Sequence, residues 1–211
     1  MSHPNSRILL AVACLGMLLS TAVFSASAKR IERSIAADQL EHIDFEISVA
    51  EMDIEIYDGN EIQLDISLKA DRDWWIFGRN DVDDVDLTVY QDGNRIELVL
   101  DDDDIEQDWR VRLPVHLAIS MDIGVGEVSI ENLANDLRLD MGVGAVQINV
   151  ADIDYDRIHL QTGVGDSSLR GFGRSTDNER NIVGADSYYQ GEGEYQISVE
   201  LGVGDTQVRR R

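Results

Sequence analysis

The chain has 211 residues, 43% of them hydrophobic and 6% aromatic, with 17 glycines and two prolines. That is enough apolar material for a sizeable core in one domain of ordinary size, in a folded chain with many tight turns and few large core anchors. Against 18 Lys and Arg stand 41 Asp and Glu, a formal charge of −23, which excludes a nucleic-acid partner because phosphate binding needs clustered cations on one face.

At the N-terminus, Arg7 precedes an apolar run from Ile8 to Phe24, followed by Ala26-Ser27-Ala28. A polar start, an apolar centre and a small-residue end are the layout of a secretory signal peptide. Residues 1–28 are therefore expected to be cleaved, and the remainder exported to the periplasm, the cell envelope or the extracellular space. An uncleaved anchor is the alternative, since the run lies at the lower edge of a membrane span. Lipidation at Cys14 fits less well, because apolar sequence continues past it. Cleavage is expected to remove the apolar run, leaving no integral membrane segment, and with it Cys14, the only cysteine, so that no disulfide, thiol nucleophile or thiolate metal site is expected in the cleaved chain.

Residues 29–211 read as one domain of strands. Ile43, Phe45, Ile47 and Val49 alternate on odd positions, then Met52, Ile54 and Ile56 on even ones, with Ser48-Val49-Ala50 between them. Alternation marks a strand with one buried face, and a one-residue change of phase marks a bulge or corner. Ile62, Leu64, Ile66 and Leu68 make a further strand. Val85, Leu87 and Val89, the turn Asp92-Gly93-Asn94, then Ile96, Leu98 and Leu100 read as a hairpin. Two loops, Asp71 to Asp84 and Asp101 to Asp108, flank it.

The tripeptide Gly-Val-Gly then occurs at Gly124, Gly142, Gly163 and Gly202, with a degenerate copy at Gly184-Ala185-Asp186. Each full copy carries the same change of phase: Ile119, Met121 and Ile123 hand over to Val128 and Ile130, and Leu137, Leu139 and Met141 to Val146, Ile148 and Val150. Ile158 and Leu160 likewise hand over to Leu169, and Ile197, Val199 and Leu201 to Val208. The expected architecture is all-β: a single-domain parallel β-solenoid with 18–21-residue coils and a less regular N-terminal half containing the hairpin. About five coils should stack from Gly124 onward at that spacing, with Val125, Val143, Val164 and Val203 forming one internal column. An antiparallel sandwich also has alternating short strands, but has no reason to repeat its bend at a fixed interval.

Arg112-Leu113-Pro114 before the first glycine corner, the successive Gly-Val-Gly-Glu/Asp bends and the short N-terminal half-repeats resemble the putative adhesin domain family. The resemblance covers most of residues 43–208. It implies a β-solenoid domain in an exported or envelope-associated bacterial protein, and it supplies no catalytic residues.

Candidate chemistry is sparse. Gly165-Asp166-Ser167-Ser168-Leu169 superficially matches a serine esterase block, but no histidine follows His159 to act as base. Acids follow several bends, at Glu51, Glu127, Asp166 and Asp205, in a ladder broken at Ala145. Ca²⁺ wants six to eight oxygens from a preorganised loop, so solvated turn carboxylates are the better reading. The runs Asp81-Val82-Asp83-Asp84 and Asp101-Asp102-Asp103-Asp104 lack the spacing of a cation loop and read as solvated surface. His42, His116 and His159 lie on outward positions and do not stack into a metal column. No catalytic, metal or cofactor site is therefore expected.

Trp74, Trp75 and Phe77 are the candidate contact residues, either closing one end of the core or offering a platform for a glycan or protein. The expected role is a non-catalytic, adhesin-like interaction or structural module with a protein or surface-polysaccharide partner. Glycan binding through the Trp74/Trp75 loop is the alternative, and a polysaccharide-processing β-helix enzyme is a remote third reading.

Overall fold

The computed structural model describes residues 28–70, 82–102, 104–173, 176–180 and 183–210. The strands in them are β1 (Ala28–Ala36), β2 (His42–Tyr57), β3 (Glu61–Ala70), β4 (Thr88–Asp92), β5 (Arg95–Leu100) and β6 (Ile105–Pro114). They continue with β7 (Ala118–Leu133), β8 (Leu137–Val150), β9 (Tyr155–Arg170), β10 (Thr176–Arg180), β11 (Ala185–Gln190) and β12 (Tyr195–Arg210). All belong to one sheet, ordered β1-β3-β6-β2-β7-β8-β12-β9-β11-β10, with β5 also beside β2 and β4 beside β5. Its middle is parallel, through the β2–β7, β7–β8, β8–β12 and β12–β9 ladders. Its flanks, β1–β3–β6 on one side and β9–β11–β10 on the other, are antiparallel.

The change of phase does in space what it does in sequence. In β7, Ile119, Met121 and Ile123 are buried before the corner and Val128 and Ile130 after it. One long strand thus turns while keeping both arms' apolar side on a single core. β2 behaves the same way without glycines, and its Val49 pairs with Val125. Beyond β2 the two arms part company: residues 42–47 pair with β5, whereas residues 51–57 pair with β6. Trp109 of β6 is fully buried and meets Phe45 edge-on at 6.2 Å. Its indole N–H donates to Gln107 Oε1 at 3.1 Å, and the Gln107 amide donates to the carbonyls of Leu100 and Asp102. This buried polar chain has its donors matched to acceptors, as burial requires, and it fixes the β5–β6 connection.

Several expectations change. β12 lies between β8 and β9, so neighbours do not follow chain order; copies with the same inward pattern are interchangeable as neighbours, and the pattern specifies register without specifying order. The Gly184 copy is not a fifth parallel layer: β11 runs antiparallel to β9, from Ala185 opposite Thr162 to Gln190 opposite Arg157. The expected loop at 101–108 ends early, because β6 starts at Ile105 and buries Ile105 and Gln107. The hairpin turns at Gly93-Asn94, with Gly93 at φ 59°, but its first strand is only Thr88–Asp92 and is exposed throughout. β1 was not anticipated, its apolar signal being limited to Ile31 and Ile35 between charged residues.

Where the last strands meet, Asp154 accepts hydrogen bonds from the Tyr189 hydroxyl at 2.5 Å, the Glu192 N–H at 2.9 Å and Arg210 Nη2 at 3.1 Å. The Arg210 guanidinium lies over the rings of Phe172 and Tyr189, 4.7 and 5.7 Å from their centroids. Tyr189 first, then the Glu192 amide and Arg210, hold the Asp154 carboxyl well below the usual carboxylate range. A carboxylate so shifted adds stability above its unfolded pKa, and that contribution is lost as pH falls toward the folded value. Asp154→Asn is therefore expected to lower the urea midpoint near neutral pH and to converge on the parent chain on acidification; a gap that stays constant with pH would refute the linkage.

Candidate interaction surface

The corner is set by backbone proximity. Gly126, Gly144, Gly204 and Gly165 are in register across four strands. A Cβ on Gly204 would lie 1.7 Å from the Gly144 carbonyl oxygen, and one on Gly144 1.8 Å from that of Gly126. Both also have positive φ, 140° and 152°. No side chain fits there, and the glycines are what allow neighbouring strands to turn together at hydrogen-bonding distance.

The valines between the glycines are a correction. Val125, Val143, Val164 and Val203 are 47%, 46%, 49% and 45% exposed, an external row and not an internal column. Odd-numbered parity carried forward from Ile123 places Val125 inside, but the strand has already begun to turn at Gly124, so the valine points out and burial resumes only at Val128. The four pair directly, Val125 with Val143, Val143 with Val203 and Val203 with Val164, and half-buried Val49 extends the row. At about 4.8 Å per strand the row spans about 19 Å.

Rows of carboxylates flank it. On the second-arm side lie Glu51, Glu127, Ala145, Asp205 and Asp166 in consecutive register. On the other side, past the flat row of Gly124, Gly142, Gly202 and Gly163, stand Glu46, Asp122, Asp140 and Glu200, again on adjacent strands. The sequence reading missed this second row, although its signal is regular: an acid two residues before the first glycine at Asp122, Asp140 and Glu200. Arg138 pairs with Asp140 at 2.8 Å, while among the described residues no Lys or Arg forms an ion pair with Glu46, Asp122 or Glu200. Like charges directly opposite each other cost stability. The glycine row and this acid row line a shallow groove of about 390 Å³, with Asp122, Asp140, Gly142, Gly202 and Glu200 among its walls.

A larger groove of about 680 Å³ crosses the outer face of β3, β6, β2 and β7. Two of its acids are paired: Arg112, which lies over the Tyr57 ring at 4.3 Å, binds Glu55 at 2.9 Å, and Arg30 binds Asp65 at 2.5 Å.

The contact residues read from the sequence, Trp74, Trp75 and Phe77, lie outside the described residues, as do the leader up to residue 27, Asp81 and Asp103. Asp101 accepts the Ser48 hydroxyl at the β2 end of the glycine row. Among the described residues no group of three or more His, Cys, Asp or Glu side chains is placed to hold a metal ion. His42 and His116 are exposed and His159 is half-buried; His116 Nε2 meets the Ala37 carbonyl at 3.1 Å, and His159 lies edge-on to Tyr188 at 6.3 Å. The Ser167 hydroxyl is 2.9 Å from that of Ser187.

No family model and no curated protein matches the chain. Among solved structures it is similar to a putative cell adhesion protein from Clostridium sporogenes, at TM-score 0.49 and 13% identity, covering 87% of this chain and 100% of that one. It is also similar to a putative adhesin from Bacteroides fragilis, at TM-score 0.23 and 10% identity, covering 87% and 97%. For a putative lipid binding protein from Parabacteroides distasonis the values are 0.25 and 9%, covering 88% and 98%. Among the described residues no helix is long and apolar enough to cross a membrane.

The corner geometry separates three substitutions. Gly204→Ala, which forces a Cβ onto a carbonyl, should cost at least about 2 kcal/mol and lower the thermal midpoint by about 4–8 °C. Ile148→Ala, in the core, should cost about 2–5 kcal/mol. Val143→Ala, on the exposed row, should stay within about 0.5 kcal/mol of the parent. Differential scanning calorimetry reads all three, and a core-sized loss at Val143 would return the valines to the interior.

Proposed function

We propose that the chain is a non-catalytic, exported interaction module of the cell envelope or surface, adhesin-like in use. In this reading it is a parallel β-solenoid of 18–21-residue coils whose repeated outer face meets a protein or surface-polysaccharide partner. The winding is supported by the in-register pairing of equivalent corner positions across five strands. Export rests on the leader pattern of residues 1–28.

One observation carries the interaction role: the same apolar residue is left outside at the same corner of four adjacent strands. Scattered exposed valines need no explanation, but a contiguous apolar row rimmed by charge is the composition of a contact surface.

The test is binding of the labelled full chain to intact cells and to envelope fractions, alongside a turnover panel of polysaccharides, peptides and esters. Saturable binding that unlabelled protein displaces, with no product released, is the expected result. Retention no greater than that of an inert protein of equal negative charge removes the interaction reading, and sustained turnover of any substrate removes the non-catalytic one.

A further inference from the structure

The corner surface has a specific shape and charge, which deepens the interaction reading and rests on it. Across the strands run, side by side, a ridge (Val49, Val125, Val143, Val203, Val164), a side-chain-free floor (Gly124, Gly142, Gly202, Gly163) and a wall of carboxylates (Glu46, Asp122, Asp140, Glu200). We propose that this groove docks a basic amphipathic α-helix of a partner protein, lying across the strands along the glycine floor.

Three features select that occupant. The first is width. The carboxylate row and the valine row are three residues apart along each strand, at most about 10 Å, which matches a helix about 10–12 Å across with its side chains. The absence of any Cβ along the floor lets its backbone approach closely. The second is pitch. Ridge and wall repeat about every 4.8 Å, and a helix brings a residue back to one face about every 5.4 Å. Over the five strands of the ridge the two fall out of step by only about 2 Å. An extended strand repeats its face about every 6.6–6.8 Å and loses register within two steps.

The third is charge. Glu46 and Asp122 stand opposite each other at strand spacing, Glu200 lies one strand beyond Asp140, which Arg138 pairs, and none of Glu46, Asp122 and Glu200 forms an ion pair among the described residues. Lys or Arg along one flank of the helix would relieve that repulsion, while an apolar stripe on the adjacent flank covered the valines. A second copy of this chain is a poor occupant, because its own face would set carboxylate against carboxylate.

The full chain would be titrated against a synthetic peptide of about four helical turns, with Leu along one stripe and Lys along the neighbouring flank. The controls are a scrambled peptide of the same composition and an alternating Val-Lys peptide. Fluorescence anisotropy gives affinity, and circular dichroism gives the conformation of the bound peptide. The expected result is tightest binding by the amphipathic peptide, bound as a helix. Val125→Ser/Val143→Ser/Val203→Ser and Asp122→Asn/Asp140→Asn/Glu200→Gln should each weaken it at least about tenfold.

Asp58→Asn/Asp152→Asn/Glu192→Gln removes as much charge from exposed positions elsewhere and should change affinity less than about threefold. Equal binding of the scrambled peptide, tighter binding of the alternating one, or equal loss in the remote and corner charge variants would overturn the proposal. Both corner variants would also be applied to the cell-surface assay. Surface binding unchanged by them removes the groove and leaves the interaction role standing, whereas failure of all surface binding with the peptide result intact removes the role and leaves the groove.

Discussion

Everything in this molecule depends on how closely backbones can approach where a strand turns. In a flat parallel ladder, side chains of adjacent strands sit beside each other without conflict. At a corner they do not, because the carbonyl of one strand aims at the Cβ position of the next. With only 1.7–1.9 Å between an added Cβ and the neighbouring carbonyl oxygen at Gly144, Gly204 and Gly165, glycine is the sole residue type that lets the ladder continue around the turn. Once that approach is allowed, two arms of one strand can face a single core, and the change of phase at each motif follows as geometry. β2 makes the same turn with Ser48-Val49-Ala50, where Ala50 is buried at 3% exposure; as the first strand of the row it can supply a carbonyl for Gly126 to lie against.

The same turn decides which face carries information. Inward positions are constrained by packing, and they are filled with Ile, Leu, Val and Met to near-zero exposure. Outward positions on the flat arms carry mixed polar residues, with local pairs such as Arg95 with Asp44 at 2.5 Å and Lys69 with Glu106 at 3.1 Å. The corner lies between these regimes. Its valines are not needed by the core, and Glu46 and Asp122 face each other at strand spacing with no ion pair among the described residues, a placement that opposes folding slightly. The proposed docking of a cationic partner would offset that cost.

Much of this was legible in the sequence. The two-residue period with a phase change at each glycine led directly to bent strands stacked in parallel register, and the Asp92-Gly93-Asn94 hairpin was readable for the same local reason. The misses share one cause, that local pattern does not say who the neighbour is. Identical corners make β12 as good a partner for β8 as β9 would be, so chain order was a poor guide. Gly184-Ala185-Asp186 keeps a glycine and an alternating segment but no second arm, and direction cannot be read from alternation. The valine row failed differently, because carrying parity across a glycine ignores the place at which the turn begins. Of the site, the acids after the bends were seen and those before them were not, since they alternate with buried residues and read as ordinary strand exteriors.

The ends of the sheet sharpen the contrast. β1 spaces Lys29, Arg30, Glu32 and Arg33 along its length, and β10, Thr-Asp-Asn-Glu-Arg, has no apolar residue at all. Short or charged edge strands of this kind discourage pairing with a further chain. A protein of net charge −23 is also repelled from copies of itself. Against that background, a contiguous row of four half-exposed valines on the outer face of the middle strands is the opposite choice. Edges guarded against adventitious strands, beside a corner left apolar and rimmed with acid, fit the proposed docking of a cationic helix across the strands.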